Sequence, residues 1–285
     1  MCGRYTITSA PEAIRALFRY REQPNFPPRY NVAPTQPVPI VRLARDQAKW
    51  EPVSRPDRAQ DSKDGARPDE KPVSTFADSA PGKRQFALVR WGLLPYWVKD
   101  PKTFTLLINA RGESVVDKPA FRAAMKRRRC LIPADGFYEW KAVGGRKAPY
   151  FVRLKSGEPM AFAGLWETWT GPNGEELETA AIVTTDANRL LAPIHSRMPV
   201  ILAPGAFDLW LNTNDVNEKT AAALIAPAPE DLLEAYEVST AVNRVANDDP
   251  KLVGPVVASA EPAPAPKPAA RVRRAKKNGE QTSLF

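Results

Sequence analysis

Cys2 carries the most unusual chemical potential in this chain. An initiator methionine is removed when the second residue is small, and cysteine is small. Removal of Met1 would leave an α-amine and a thiol on adjacent carbons. With unperturbed pKa values of about 7.7–8.0 and about 8.5, both are partly nucleophilic near neutral pH. Such a 1,2-aminothiol condenses with an aldehyde to an imine, then closes to a five-membered thiazolidine. An internal cysteine cannot do this, because its nitrogen is an amide. The plain alternative is an incidental cysteine at position two.

Other residues could serve such chemistry. His195, the one histidine, lies in the turn-prone stretch Pro193-Ile-His-Ser-Arg-Met-Pro199. A neutral imidazole accepts a proton and its cation returns one to a leaving oxygen, although a lone histidine is often only a structural hydrogen bonder. In Asn109-Ala-Arg-Gly-Glu113, an amide can hold an amine or thiol in place. Arg111 could bind phosphate through its planar fork. In Gly136-Phe-Tyr-Glu-Trp140, Glu139 would gain a raised pKa if buried beside the aromatics, and would be ordinary if exposed at a strand end. Arg90-Trp-Gly-Leu-Leu-Pro-Tyr-Trp97 sets aromatic rings beside Gly and Pro. These rings are core, or a surface on which bases stack. One histidine and two distant cysteines give no zinc spacing. Neither a Walker loop nor G-x-G-x-x-G occurs, so no metal or cofactor is expected.

The elements that must position these residues are short strands with a few helices. Val38–Leu43 and Phe86–Trp91 read as strands. So do Cys130–Ile132, Tyr150–Val152, Met160–Phe162, Ala180–Val183 and Val200–Leu202. Ser9-Ala-Pro-Glu12 has a capping-box pattern and opens a helix with Ile14, Leu17 and Phe18 on one face. Further helices are expected at Pro119–Arg128, Phe207–Leu211, Glu218–Ile225 and Glu230–Tyr236, with Asp186 capping a short one before Pro193. Strands and helices do not alternate regularly. The expected class is α+β: one domain with a curved, largely antiparallel, barrel-like sheet and peripheral helices.

Composition divides the 285 residues. The catalytic domain is expected over 1–258. A charged, Pro-rich insertion at about 45–84 would lengthen a hairpin connection and be flexible. Residues 259–285 form an Ala/Pro/Lys/Arg-rich tail that cannot build a core, so disorder is expected. The tail carries +4 of the formal net charge of +9 and leaves +5 on the body, which favours a polyanionic partner. Aliphatic runs stay below the ~20 residues of a membrane span, and no apolar signal precedes Cys2. A soluble cytoplasmic protein with free thiols follows as the expectation.

Met1-Cys-Gly-Arg-Tyr-Thr6, Tyr30-Asn-Val-Ala-Pro-Thr35, Arg90-Trp-Gly-Leu-Leu-Pro95, Asn109–Glu113, Arg129-Cys-Leu-Ile-Pro-Ala-Asp-Gly-Phe-Tyr-Glu-Trp140 and His195-Ser-Arg-Met-Pro199 stand in one order along the chain. Together they closely resemble the SRAP family (SOS response-associated peptidase, the abasic-site processing proteins) from roughly Cys2 to Val257. The resemblance implies a DNA-repair protein, active at replication forks of the nucleoid. It would bind single-stranded DNA and cross-link Cys2 to the open-chain aldehyde of an abasic site. It implies that Asn109 orients Cys2 and that Glu139 moves protons at the amine and imine. His195 would act on the deoxyribose oxygen and in reversal of the cross-link. Arg4, Arg111 and Arg197 would meet DNA phosphates, with Trp91 near the point where bases unstack. The family name also records self-removal of residues before the cysteine, a peptidase activity. Competing readings are an N-terminal-nucleophile amidohydrolase, a non-catalytic single-strand-binding module and a general peptidase.

The tail ends Gln281-Thr-Ser-Leu-Phe285, similar to the peptide that binds bacterial sliding clamps, with Gln281, Leu284 and Phe285 as pocket fillers. Thr282 stands where leucine is common, which predicts weaker binding. A flexible tether would raise the local concentration of the domain at replicating strands. We predict that a peptide of the last residues binds a cognate clamp in a calorimetric titration. Unchanged binding after Phe285→Ala would remove the motif.

Overall fold

Most apolar runs of the chain are strands in the computed structural model, which describes residues 2–44 and 84–256. In order these are β1 (Tyr5–Ile7), β2 (Arg29–Val32), β3 (Pro37–Leu43), β4 (Arg84–Trp91), β5 (Asn109–Arg111), β6 (Arg129–Ala134), β7 (Gly136–Val143), β8 (Arg146–Leu154), β9 (Met160–Thr170), β10 (Glu176–Asp186), β11 (Arg197–Pro199), β12 (Ile201–Leu202) and β13 (Leu233–Glu237). The helices are short: α1 (Pro11–Phe18), α2 (Arg122–Arg127), α3 (Phe207–Leu211) and α4 (Glu218–Ala222).

Five strands close on themselves in the order β10, β4, β3, β6, β9 and back to β10. Every pair of that ring is antiparallel except β4 with β10. Closure leaves these strands no unpaired edge. A second, wholly antiparallel sheet runs β13-β8-β7-β1-β2. The barrel-like antiparallel sheet with peripheral helices is therefore observed.

Burial explains why β6 and β9 are apolar without alternation. Each residue of β6 is buried, as are the first eight of β9. Both faces of these strands are covered, Ile132 standing opposite Phe162 on one face while Leu131 lies on the other, and α3 adds Phe207, Trp210 and Leu211 to the same core. A buried cation joins these layers. Arg129 is 1% exposed and donates to the carbonyls of Trp210 (2.5 Å), Met125, Asn212 and Val216 (each 2.8 Å). These carbonyls lie at or beyond the ends of α2 and α3, where helices run out of internal donors. Burial lowers the Arg129 pKa to about 10, so it stays charged at neutral pH.

Several local expectations change. Ser9 does not cap α1; Ala10 occupies the cap, and the Ser9 hydroxyl donates to Asp135 between β6 and β7. Asp186 ends β10 and accepts from Arg197; Asn188 instead caps the following turn, its Oδ1 accepting from Leu191 N–H at 3.1 Å. The helix expected at Glu230–Tyr236 is strand β13 from Leu233, because β8 offers a free edge with Tyr236 opposite Phe151. The helix expected over Pro119–Arg128 begins at Arg122, and that over Glu218–Ile225 ends at Ala222. The 45–84 insertion lies outside the described residues except Arg84, which opens β4 and pairs with Asp208 at 2.6 Å. The 259–285 tail also lies outside them. Among the described residues no helix is long and apolar enough to cross a membrane.

Replacing Arg129 by Met removes four charge-assisted bonds and strands buried carbonyls. We predict a loss of roughly 3 kcal/mol in urea unfolding, within the range for breaking a buried charge network. A loss under 1 kcal/mol would show that water re-satisfies those carbonyls.

Candidate functional site

Strand pairing brings Cys2 to Glu139. β1 runs antiparallel to β7 with Tyr5 opposite Phe137 and Thr6 opposite Gly136, and Tyr138 N–H donates to Arg4 O at 3.0 Å. Carrying that register back sets Gly3 beside Glu139, with Cys2 one residue on. Glu139 is 2% exposed, so of the two sequence readings it is the buried one that holds. Burial raises its pKa above the usual carboxylate range, and the positive amino terminus of the chain is the largest opposing influence. Cys2 is fully buried. Burial, then the charge of Glu139, pushes its thiol far above the ordinary value. The thiol is therefore an S–H group at neutral pH, and it points to Arg4 O at 3.8 Å.

β5 delivers Asn109. It lies parallel to β10, with Asn109 opposite Ile182 and Arg111 opposite Thr184. The Asn109 Nδ2 donates to the Cys2 carbonyl at 2.9 Å. Its Oδ1 is buried and has no partner among the described residues, which leaves an acceptor for an N–H group at Cys2. Gly92 makes room for the approach to β5. It has φ of +124°, and a Cβ there would lie 2.3 Å from Leu106 Cδ1.

His195 closes the turn after β10, where its N–H donates to Leu191 O at 2.9 Å. Its Nδ1 accepts from Arg197 N–H at 2.9 Å, so in the neutral ring the proton sits on Nε2. Burial lowers its pKa, followed by the positive amino terminus. The same terminal charge acts on Glu139.

The four expected DNA contacts differ in their surroundings. Arg111 is exposed. Arg4 is partly buried and donates to Asn31 Oδ1 and Val242 O, both at 2.9 Å. Arg197 binds both oxygens of Glu113 (2.6 and 3.0 Å), Asp186 Oδ1 (3.0 Å) and Thr184 O (2.7 Å). Its guanidinium already has acceptors, and it ties the Asn109–Glu113 segment to the His195 turn. Trp91 is a correction to the idea of a base-contacting ring. It is 0% exposed, donates to Ile108 O at 3.0 Å and packs edge-on to Tyr5 at 5.3 Å. It props the residue before Asn109. The exposed rings of that segment are Tyr96 and Trp97.

Sequence reasoning missed three participants. Asn31, fully buried, orients Arg4 and donates to the carbonyls of Val242, Arg244 and Asn247. Its only signal was its place in Tyr30–Thr35. Glu113 closes the ion pair with Arg197, a contact across 84 positions that spacing cannot reveal. Tyr5 is fully buried with its hydroxyl unpartnered among the described residues, and burial raises its pKa. Among the described residues no three His, Cys, Asp or Glu side chains stand close enough to share a metal ion. Gln281, Leu284 and Phe285 lie outside the described residues.

Residues 1–245 match the family described as SOS response associated peptidase (SRAP). The chain is 35% identical over 257 residues to the abasic site processing protein YoqW of Bacillus subtilis, covering 89% of this chain and 99% of that one. It is 30% identical over 292 residues to the abasic site processing protein HMCES of Gallus gallus, covering 90% and 78%. A solved protein of Bacteroides thetaiotaomicron shares the fold with a TM-score of 0.68 at 24% identity, over 90% of this chain and all of that one.

The buried environment of His195 makes a measurable prediction. As the only histidine, it gives a single imidazole signal by NMR. Its midpoint should fall below the unperturbed value of about 6.5. A midpoint at or above that value would mean that the ring is solvated or paired with a carboxylate.

Proposed function

The chain belongs to the SRAP family, and from that premise we propose that it processes abasic sites in single-stranded DNA by covalent capture through Cys2. The observation that carries the reading is the hydrogen bond from Asn109 to the Cys2 carbonyl, with buried Glu139 beside the same residue.

The chemistry follows from the protonation states. Once Met1 is gone, the α-amine of Cys2 is the first nucleophile, because burial keeps the thiol protonated. Asn109 Oδ1 supplies the acceptor that orients this amine. Glu139, its pKa raised by burial, takes the proton released when nitrogen attacks C1′ of the open-chain sugar. The carbinolamine loses water to give an imine. The thiol then adds to the imine carbon, and its proton passes to the nitrogen, completing a thiazolidine with one water released overall. His195 acts in its protonated form, with Nδ1–H turned to Arg197 O at 3.3 Å: it donates from Nε2 to O4′ as the C1′–O4′ bond of the closed sugar breaks, the C1′ hydroxyl gives its own proton to water, and the neutral ring takes the O4′ proton back in reversal. Exposed Arg111 takes a flanking phosphate. Arg4 and Arg197 act on DNA through the strands they hold, and phosphate contact by Arg197 requires exchange with Glu113 or Asp186. The raised thiol weighs against an amidohydrolase, which needs a thiolate at the start. Clamp recruitment through the tail remains part of the proposal, as does peptidase action on residues preceding Cys2.

The test is a denaturing gel of protein lacking Met1, incubated with a single strand holding one abasic site. A band that survives denaturant, needs the lesion and vanishes with Cys2→Ala is expected. Asn109→Ala should slow capture about tenfold, the equivalent of one hydrogen bond of ~1.4 kcal/mol. Glu139→Gln should slow it ~10²–10⁴-fold and abolish the acid limb of the pH–rate profile, which in the parent lies above the ordinary carboxylate range of about 4.3. Absence of the band with folded, Met1-free protein would sink the proposal.

A further inference from the structure

The segment that leaves the site carries a row of cations that the proposed chemistry does not use. Between Arg111 and α2 the exposed cations are Arg111, Lys118, Arg122, Lys126 and Arg127. None has a salt-bridge partner among the described residues. Lys118, Arg122 and Lys126 are spaced four apart. Arg122 N–H donates to Lys118 O at 2.9 Å, so a hydrogen-bonded turn leads from Lys118 into α2. Within α2 four residues rise about 6 Å, so Arg122 and Lys126 share a face, and Lys118 stands one turn before them in the chain. Fixed cations at that interval suit successive phosphates of an extended strand.

The neighbourhood supports an anionic occupant. Arg122, Lys126 and Arg127 form one wall of an open groove that also meets Tyr96, a ring 60% exposed. The groove is also lined by Glu167, Glu176, Glu178 and Glu218, two of them held in ion pairs. Glu167 pairs with Arg128 at 2.5 Å and Glu178 with Arg42 at 2.6 Å, while Glu218 acts on the buried Arg129. Glu113 is held by Arg197, leaving Asp117, Glu176 and Glu218 against five cations. An aromatic face beside a cationic wall is the usual arrangement for single-stranded nucleic acid.

We propose that the row Lys118, Arg122 and Lys126, with Arg127 and the Tyr96 ring beside it, is a second DNA contact that takes the sugar–phosphate backbone running on from Arg111. This rests on the reading of the site as one that captures single-stranded DNA. The row holds flanking nucleotides and takes no part in bond formation. Its contribution is electrostatic, so it falls with salt and is indifferent to sequence and to the lesion.

The experiment uses full-length protein with Lys118→Gln, Arg122→Gln and Lys126→Gln together. Non-covalent binding to undamaged single strands of about 8 and about 25 nucleotides is measured by anisotropy across a salt series. Three lost phosphate contacts, at about 0.7 each for single strands, should lower the salt slope for the long strand by about 2. Its affinity at low salt should fall about tenfold or more, with the short strand much less affected. Capture of an abasic site within the short strand should proceed at the parent rate. An unchanged slope and affinity for the long strand would overturn the proposal. Equal losses on both strands would overturn it too, by assigning the row to the capture site itself. Failure of the parent protein to capture the short abasic strand would strike the Cys2 reading alone, because binding of undamaged DNA is read separately. Because the replaced side chains are exposed, the variant should unfold at the parent's denaturant midpoint, and Tyr96→Ala provides an independent check through loss of long-strand affinity.

Discussion

Strand β10 has to satisfy two edges along its whole length, and the rest of the molecule follows from how it does so. Its first half pairs with β9 on one edge and β4 on the other, which closes the barrel. Its second half takes β11 on the first edge and β5 on the second. Thr184 stands opposite both Pro199 and Arg111. A buried backbone group without a partner costs as much as a lost hydrogen bond, so neither short strand is optional. Three residues of β5 carry Asn109, and the start of β11 carries Arg197 with His195 two positions before it. Barrel closure and site assembly are thus two ends of one ladder. The ion pairs of Arg197 with Glu113 and Asp186 fasten the end of that ladder where the backbone bonding stops.

The arginines show why charge alone is a poor guide to a binding surface. Arg4, Arg129 and Arg197 point at carbonyls, an amide and carboxylates of the same chain. Each guanidinium offers five donors in a fixed plane, which suits it to joining several strand or helix ends at once. A matching motif therefore marks such an arginine without saying whether it faces DNA or the fold. Exposure separates the cases: Arg111 is open, whereas Arg197 is 13% exposed at its side chain.

Much of this was legible in the sequence, for reasons that differ by residue. Cys2 could be read from position and chemistry alone, because only a second residue can become an aminothiol. Strands β3, β4, β6, β9 and β10 were visible as apolar runs, and in β6 and most of β9 both faces are covered. Glu139 was ambiguous, because burial depends on β1 lying across β7, a pairing of residues far apart in the chain. β13 was misread as helix because Leu233 and Tyr236 stand three apart, a helical spacing, and only the edge of β8 decides otherwise. Trp91 looked like a stacking surface, yet its depth depends on Tyr5 and Ile108, which no local pattern brings near.

The β3–β4 hairpin has a consequence for how this fold changes over evolutionary time. Its ladder pairs Pro37 with Arg90 at one end and Leu43 with Arg84 at the other. The site lies beyond the first end, through Trp91 and its bond to Ile108. The connecting chain leaves from the second end, where the register is already fixed. Lengthening a connection costs only about 0.6 kcal/mol for each doubling. Foreign sequence can therefore be gained, exchanged or shed at this position while the catalytic groups keep their coordinates, which makes the hairpin a place where the lineage can experiment without risking the chemistry.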